Sequence, residues 1–197
     1  KSLAMVSCAA SCLAANYNVL YITLEMSQDE IAKRIDANLL NVPIDDLQNM
    51  TDAEYFKKTR KLKENIKGRL VVKEYPTAGA STIHFKALLN ELALKKEFKP
   101  DIIFIDYVNI CVSSRIKMGN SVNSYTFVKA ITEELRGMAI EYDVAIVSAT
   151  QTGRAGAKST DPTMEDVSES YGTMMTCDWA AAIVVDDDVG KEESNFK

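Results

Sequence analysis

Short apolar runs alternate with longer amphipathic segments along this chain. The runs lie at 18–24 (NVLYITL), 69–74 (RLVVKE), 101–106 (DIIFID), 144–149 (VAIVSA) and 179–185 (WAAAIVV). Apolar runs this short, with little polar alternation, are typical of strands that a sheet buries on both faces. The pattern therefore predicts five strands.

Helical spacing of apolar residues marks the segments between these runs. Ser27–Glu30 and Thr51–Glu54 both have the Ser/Thr-x-x-Glu pattern of a capping box, which begins a helix. Helices are predicted at 1–16, behind Ser27, from Thr51 to about residue 67, and at 81–97, 124–142 and 163–171. Strands that alternate with helices predict an α/β fold, with a mostly parallel central sheet and right-handed crossovers that place helices on both faces.

Composition and charge narrow the class of protein. With 197 residues, 47% of them hydrophobic, the chain is long enough for one soluble domain with a sizeable core. No apolar run approaches the roughly 20 residues of a membrane-spanning helix, so no membrane partner is expected. The net charge of −5 argues against a surface that coats nucleic acid, although it allows a local basic patch.

The four cysteines lack the paired spacing of a metal site. Cys8 and Cys12 would share a helix face, but the chain has a single histidine to complete a ligand set. We therefore expect free, buried thiols at Cys8, Cys12, Cys111 and Cys177, in a reducing compartment.

Polar side chains stand at the ends of three predicted strands. Glu25 follows the first strand, Asp106 ends the strand at 101–106, and Gln151 follows the strand at 144–149. In an open α/β sheet the ligand site lies outside the carboxyl ends of the strands, so the three can converge on one crevice. Each alone could simply cap a strand at the solvent boundary, but together they favour a site.

The chain opens with Lys1 and Ser2, directly before an apolar helix. These are the last two residues of the phosphate-binding pattern G-x-x-x-x-G-K-[ST], in which the lysine reaches the β and γ phosphates and the hydroxyl binds Mg²⁺. A Lys-Ser pair alone is weak evidence. Its position before a helix, upstream of strands that end in Glu and Asp, gives it weight.

Five segments, in chain order, resemble the ATPase domain of the DnaB family of hexameric replicative DNA helicases, most closely its T-even-type bacteriophage branch. They are KSLAMVSCAA, NVLYITLEMSQDEIAKRIDANLL, IIFIDY, NSYTFVKAITEELRGMA and VSATQTGR. The resemblance, from residue 1 to about 185, implies a RecA-like P-loop NTPase fold. It also implies hydrolysis of ATP or another nucleoside triphosphate between the subunits of a hexameric ring. Such a ring moves on single-stranded DNA in the bacterial host cytoplasm, with a primase and a helicase loader as candidate partners.

The resemblance assigns a role to each residue of the predicted crevice. Lys1 would contact the β and γ phosphates, and Ser2 would ligate Mg²⁺, which Asp106 would hold through water. Glu25 would be the catalytic base that polarises the attacking water. Gln151 would sense the γ-phosphate and transmit its loss to a DNA-binding loop.

Two loops carry basic residues among small ones. SSRIKMGNS contains Arg115 and Lys117, and TGRAGAKS contains Arg154 and Lys158. The resemblance implies DNA-binding loops in these regions, facing the channel of the ring, where a local positive lining is sufficient to hold a DNA backbone. The alternative is that these loops are ordinary soluble connections.

Several parts of the family pattern have no counterpart in residues 1–197. They are the glycines of the phosphate loop, an N-terminal domain, and the arginine finger expected beyond the last strand. We therefore expect residues 1–197 to be a fragment, one RecA-like ATPase domain with weak hydrolysis on its own. Two other interpretations stay open: a RecA-like ATPase that is not a helicase, such as a recombinase or signalling ATPase, and a catalytically silent α/β interaction domain.

Overall fold

The computed structural model describes residues 1–117, 122–151 and 174–183. Four strands are formed: β1 (Val19–Thr23), β2 (Leu70–Glu74), β3 (Ile102–Asp106) and β4 (Ala145–Ser148). The helices are α1 (Ser2–Ala14), α2 (Gln28–Leu40), α3 (Ile44–Asn49), α4 (Asp52–Asn65), α5 (Thr82–Lys96) and α6 (Ser124–Tyr142), with a 3₁₀ turn at Val108–Ile110. The sequence pattern did not predict the short helix α3.

The four strands form one parallel sheet in the order β2-β1-β3-β4. From β1 the chain passes outward to β2 and then crosses back to β3, on the other side of β1. The strand order therefore reverses between β1 and β3, and such a reversal opens a crevice at the carboxyl ends of the two strands. The register aligns Thr23 with Asp106 at that end.

Helices cover both faces of the sheet, which confirms the predicted α/β fold with helices on the two sides. On one face, Tyr21 and Phe104 pack with residues of α1 and α2. On the other face, Ile22 and Ile105 pack with residues of α5 and α6. Alternate strand residues point to opposite faces, so a strand covered on both sides must be apolar at every position, as β1 is nearly throughout.

Both predicted capping boxes lie where helices begin, but only the one at α4 is complete; at α2 the Ser27 hydroxyl caps the helix, whereas Glu30 Oε1 accepts from Lys33 instead. The Ser27 hydroxyl accepts a hydrogen bond from the Glu30 amide at 3.3 Å, at the start of α2. At α4, Thr51 and Glu54 cap each other reciprocally. These local signals were readable from the sequence because each capping bond joins residues three apart.

The last predicted strand, at 179–185, is wrong over the part that the structure describes. Residues 179–183 form no strand, and Trp179 is 81% exposed and Ile183 69% exposed. An apolar run stabilises a strand only where a neighbouring strand pairs with it, and the run itself does not supply that neighbour. The predicted helix at 163–171 lies outside the described residues.

Two expectations of burial also need correction. Cys111 is buried, whereas Cys8 and Cys177 are exposed and Cys12 is half-buried. Within α1 the buried residues are Met5, Val6, Ala9, Ala10 and Leu13, so Cys8 lies off the packed face of the helix. The strand β4 is only partly buried, with Ala145 exposed. Among the described helices, none combines the length and the apolar character needed to cross a bilayer.

Candidate active site

The start of α1 lies beside the carboxyl ends of β1 and β3. Lys1 Nζ is 2.5 Å from Glu25 Oε2, and the same ammonium lies 3.5 Å from the centroid of the Tyr107 ring. Glu25 follows β1, and Tyr107 directly follows β3. The structure thus brings Lys1 and Glu25, two of the residues singled out from the sequence, into contact and adds Tyr107. No sequence pattern indicated that the ring of Tyr107 faces the lysine.

Asp106 is the last residue of β3 and is fully buried. Its Oδ2 accepts a hydrogen bond from the Tyr21 hydroxyl at 3.1 Å. Its Oδ1 is buried without a hydrogen-bond partner among the residues that the structure describes. A carboxylate oxygen in this position is costly unless a cation or a donor compensates its charge.

Strand pairing explains why Tyr21 reaches Asp106. Tyr21 of β1 is aligned with Phe104 of β3, and their rings stack with centroids 5.8 Å apart. Asp106 is two residues beyond Phe104, so its side chain is on the same face of the sheet, the face covered by α1. Burial, followed by the charge and hydrogen bond of Asp106, raises the pKa of Tyr21, so the phenol stays a proton donor.

The donor set around Asp106 suits a magnesium ion. Mg²⁺ binds oxygen ligands and keeps several of its waters, so protein sites supply only one or two carboxylates together with substrate phosphates. No cluster of three or more histidines, cysteines or carboxylates occurs among the described residues, so a fully protein-built metal cage is absent there. The orphaned Oδ1 of Asp106 is an oxygen donor of the kind that fits such an ion.

The amino end of α1 is suited to bind phosphate. Its first turn contains no acidic side chain to offset the positive end of the helix dipole. Free backbone amides and that dipole make such a helix terminus a favourable place for an anion. Lys1 at the N-cap adds a full positive charge at the same end.

Gln151 lies exposed, three residues after β4. Two hydrogen bonds hold the exit of β4 beside the residues that follow β3: the Val108 amide donates to the Ala149 carbonyl at 3.2 Å, and Thr150 Oγ1 donates to Asn109 Oδ1 at 2.8 Å. Gln151 is thereby carried to the same edge of the sheet as Asp106.

The predicted DNA-binding residues are only partly described. Arg154 and Lys158 lie outside the described residues, and Lys117 is exposed. The Arg115 guanidinium lies 2.9 Å from Glu133 Oε2 and donates to the Ala130 carbonyl at 3.1 Å. It is therefore held against α6, which was not foreseen from the sequence.

Glu134 organises the segment after β3 and was not singled out from the sequence. Its side chain, 6% exposed, accepts hydrogen bonds from Thr82 Oγ1 at 2.8 Å, Ser113 Oγ at 2.5 Å and the Ser114 amide at 3.0 Å. Burial raises the pKa of Glu134, but these donors outweigh it and lower the pKa to about 2. The sequence did contain a signal for Glu134, because this carboxylate falls on the apolar stripe of α6, three residues after Ile131.

Comparisons with known proteins agree on one family. The family model described as "DnaB-like helicase C terminal domain" matches residues 1–195. The DnaB-like replicative helicase of Enterobacteria phage T4 is 46% identical over 199 residues, a match that covers 100% of this chain and 42% of that protein. The chain thus spans less than half the length of this relative.

Two solved structures have the same fold. A DnaB-like replicative helicase, described with its interactions with primase, superposes with a TM-score of 0.68 at 19% identity, covering 98% of this chain and 46% of that one. A second structure, described as an ATPase domain, superposes with a TM-score of 0.68 at 20% identity, covering 90% of this chain and 63% of that one. The RecA-like fold expected from the sequence is thereby confirmed.

Proposed function

This chain belongs to the DnaB-like helicase C-terminal domain family, and we propose on that basis that it is the motor domain of an ATP-dependent replicative DNA helicase. The domain would couple nucleotide hydrolysis, between subunits of a hexameric ring, to movement along single-stranded DNA and unwinding of the duplex. DNA replication would be its setting, and a primase and a helicase loader are the candidate protein partners.

One observation carries this proposal. Lys1, at the amino end of α1, contacts both Glu25, which follows β1, and Tyr107, which follows β3. Its Nζ lies 2.5 Å from Glu25 Oε2 and 3.5 Å from the centroid of the Tyr107 ring. A cation, a helix amino end and a base candidate at the reversal of strand order are the parts that phosphoryl transfer requires.

In this arrangement the phosphates of ATP would compete with Glu25 for Lys1. The lysine ammonium and the free amides of α1 would bind the β and γ phosphates. Transfer of Lys1 from Glu25 to phosphate would release the carboxylate of Glu25. The nucleotide itself would thereby free the base that the reaction needs.

Glu25 would then accept a proton from the attacking water. As the water oxygen bonds to the γ-phosphorus, the bond to the oxygen bridging the β and γ phosphates breaks, and ADP and phosphate result. Ser2 and Asp106 would hold Mg²⁺, which when bound offsets the charge that collects on the phosphate oxygens. Gln151 would sense the γ-phosphate at the end of β4.

The basic loops would hold the DNA. Arg154 and Lys158 follow Gln151 in sequence, so a change at Gln151 would reach them through few residues. Lys117, exposed after the β3 turn, would add positive charge, with Arg115 at the base of the same loop. Contacts of this kind bind the phosphate backbone and tolerate any sequence.

The experiment is ATP hydrolysis by the full-length protein, with and without single-stranded DNA, for the wild type and Glu25→Gln. The expected result is strong stimulation by DNA and a loss of about 10²–10⁴-fold in the variant, the usual contribution of a general base. Glu91→Gln is the matched control, since Glu91 pairs with Lys95 on the exposed side of α5.

Other outcomes would replace the proposal. Hydrolysis that is indifferent to DNA would indicate a RecA-like ATPase of another kind. A folded, assembled protein that hydrolyses nothing would indicate a silent interaction domain.

A further inference from the structure

We propose that Tyr21 is a positioning residue for Asp106: its hydroxyl holds Oδ2 of the carboxylate and so reserves Oδ1 for the hydration shell of Mg²⁺. The inference rests on the proposed function, because it concerns the same nucleotide site. It goes further because it assigns part of the Mg²⁺ dependence of nucleotide binding to Tyr21, a residue of β1 that binds neither metal nor nucleotide.

The geometry gives the two carboxylate oxygens different environments. Oδ2 accepts the Tyr21 hydroxyl at 3.1 Å, whereas Oδ1 is buried without a partner among the described residues. The terminal torsion of an aspartate is broad and roughly two-fold, so the backbone does not decide which oxygen points where. A single donor on one side removes that freedom.

The donor itself is held rigidly. Tyr21 is fully buried, and its ring stacks on that of Phe104 with an angle of 12° between the planes. The parallel pairing of β1 with β3 fixes the register between Tyr21 and Asp106. Neither the ring nor the strand can shift without disturbing the packing under α1.

The hydroxyl is the part of Tyr21 that this role needs. A phenylalanine ring would fill the same space and stack on Phe104, so packing alone does not call for a tyrosine. A buried hydroxyl must be hydrogen-bonded to be tolerated, and here the acceptor is the carboxylate. Groups that orient a metal-binding carboxylate in this way commonly affect metal affinity by about 10–100-fold.

The test follows the binding of a fluorescent ADP, mant-ADP, to the full-length protein while Mg²⁺ is titrated from an EDTA-treated start. We expect Tyr21→Phe to bind mant-ADP as the wild type does in EDTA, but to need about 10-fold more Mg²⁺ for half of the metal-dependent gain in affinity. An unchanged Mg²⁺ midpoint in Tyr21→Phe would overturn the inference.

A matched control comes from the same chain. Tyr55 donates to Asp36 Oδ2 at 2.8 Å, a tyrosine–aspartate bond between α4 and α2. Tyr55→Phe therefore removes a similar bond elsewhere and should leave the Mg²⁺ midpoint unchanged. An equal shift in Tyr55→Phe would mean that general loosening, not positioning, is responsible, and would also overturn the inference.

Two further variants separate packing from positioning. Tyr21→Leu removes both the ring and the hydroxyl, whereas Tyr21→Phe removes only the hydroxyl. If Tyr21 acted only through packing, the Mg²⁺ midpoint would shift in Tyr21→Leu but not in Tyr21→Phe. If Tyr21 acts through Asp106, the double variant Tyr21→Phe with Asp106→Asn should respond to Mg²⁺ as Asp106→Asn alone does. If Tyr21→Phe is too unstable for the mant-ADP titration, the Mg²⁺-dependent rise in its melting temperature with ADP gives the same comparison with the wild type.

Failure of the Asp106 role in the proposed function can be told apart from failure of the inference. A wild type that binds mant-ADP with no Mg²⁺ dependence, or an Asp106→Asn variant that keeps the wild-type midpoint, would remove the metal role assigned to Asp106 in the proposed function and with it the inference. A wild type that responds to Mg²⁺, with the response lost in Asp106→Asn and kept in Tyr21→Phe, would remove the inference alone.

Discussion

Lys1 and Glu25, 24 residues apart in sequence, meet at 2.5 Å between the amino end of α1 and the exit of β1. The lysine side chain is 20% exposed and the glutamate 46% exposed, so water partly screens this ion pair. Because the ion pair is only of modest strength, an incoming polyanion can replace Glu25 as the partner of Lys1. The Lys1–Glu25 contact therefore suits a site in which the lysine pairs with a neighbouring carboxylate until a phosphate group binds.

Tyr107 should contribute to nucleotide affinity through Lys1. Its ring lies 3.5 Å from the ammonium, and a partly exposed cation–π contact is worth about 0.5–1 kcal/mol. We expect Tyr107→Leu to weaken ADP binding by about 2–5-fold, measured by calorimetry. Tyr107→Phe keeps the aromatic face and should bind as the wild type. Equal affinity in Tyr107→Leu would contradict this role.

Asp106→Asn should stabilise the nucleotide-free protein. Asn keeps an oxygen for the Tyr21 hydroxyl and removes a buried charge whose Oδ1 has no partner among the described residues. We expect the free energy of unfolding in EDTA to rise by about 1 kcal/mol or more. With Mg²⁺ and ADP the order should reverse, because the wild type gains more from ligand binding. Denaturation of both proteins under both conditions is the measurement, and a less stable variant in EDTA would refute the prediction.

Glu134 should make stability depend on acidic pH. Hydrogen bonds lower its pKa from the ordinary 4.5 to about 2 in the folded protein. Its contribution is therefore complete above pH 4.5 and is lost as pH falls towards 2. We expect Glu134→Gln to lower the free energy of unfolding at pH 7 by on the order of 3 kcal/mol and to flatten its dependence on pH in the acidic range. Urea denaturation from about pH 2.5 to neutral pH tests this.

Glu133→Gln is the control for that experiment. Glu133 is the neighbour of Glu134 on α6, but its side chain is 43% exposed and pairs with Arg115 near the surface. An exposed pair of this kind contributes less than about 1 kcal/mol. If both variants lose stability equally, the hydrogen bonds of Glu134 do not have the assigned importance.

Two glycines should respond to alanine in opposite directions. A Cβ at Gly68 would lie 2.5 Å from the Tyr17 carbonyl oxygen and 2.9 Å from that of Leu13, so the backbone would have to move. A Cβ at Gly137, within α6, would meet nothing within 4 Å. We expect Gly68→Ala to cost about 1–3 kcal/mol and Gly137→Ala to add about 0.4–1 kcal/mol. Thermal denaturation of the two variants measures both changes in stability. A change of the same sign in both variants would contradict the prediction.

The basic loops should differ in their effect on DNA binding. Lys117→Ala and Arg154→Ala should each lower the slope of log affinity against log salt for single-stranded DNA by about 0.7. Arg115→Ala should change that slope less, because its guanidinium already pairs with Glu133. Lys95→Ala, on α5 and paired with Glu91, serves as control. Salt titrations with fluorescent single-stranded DNA provide the slopes, and a slope change at Arg115 as large as at Lys117 would contradict the prediction.

Much of the site was readable from residue order. Glu25 and Asp106 stood out because each is a charge at the end of an apolar run, and the carboxyl ends of parallel strands share one edge of a sheet. Tyr21 and Glu134 did not stand out. Each is one polar group within an apolar pattern, and its importance depends on a distant partner. The partner of Tyr21 is Asp106, 85 residues away, and one partner of Glu134 is Thr82, 52 residues away.

The sequence by itself determined the alternation of strands and helices, the caps at Ser27 and Thr51, and the edge of the sheet where the candidate site lies. These follow from burial on two faces and from bonds between near neighbours, which each segment largely decides for itself. Only the tertiary structure decided the register that brings Tyr21 to Asp106, the exposure of Cys8 and the absence of a strand at 179–183. Those depend on which distant surfaces pack together, a choice set by the free energy of the whole chain and not by any one segment.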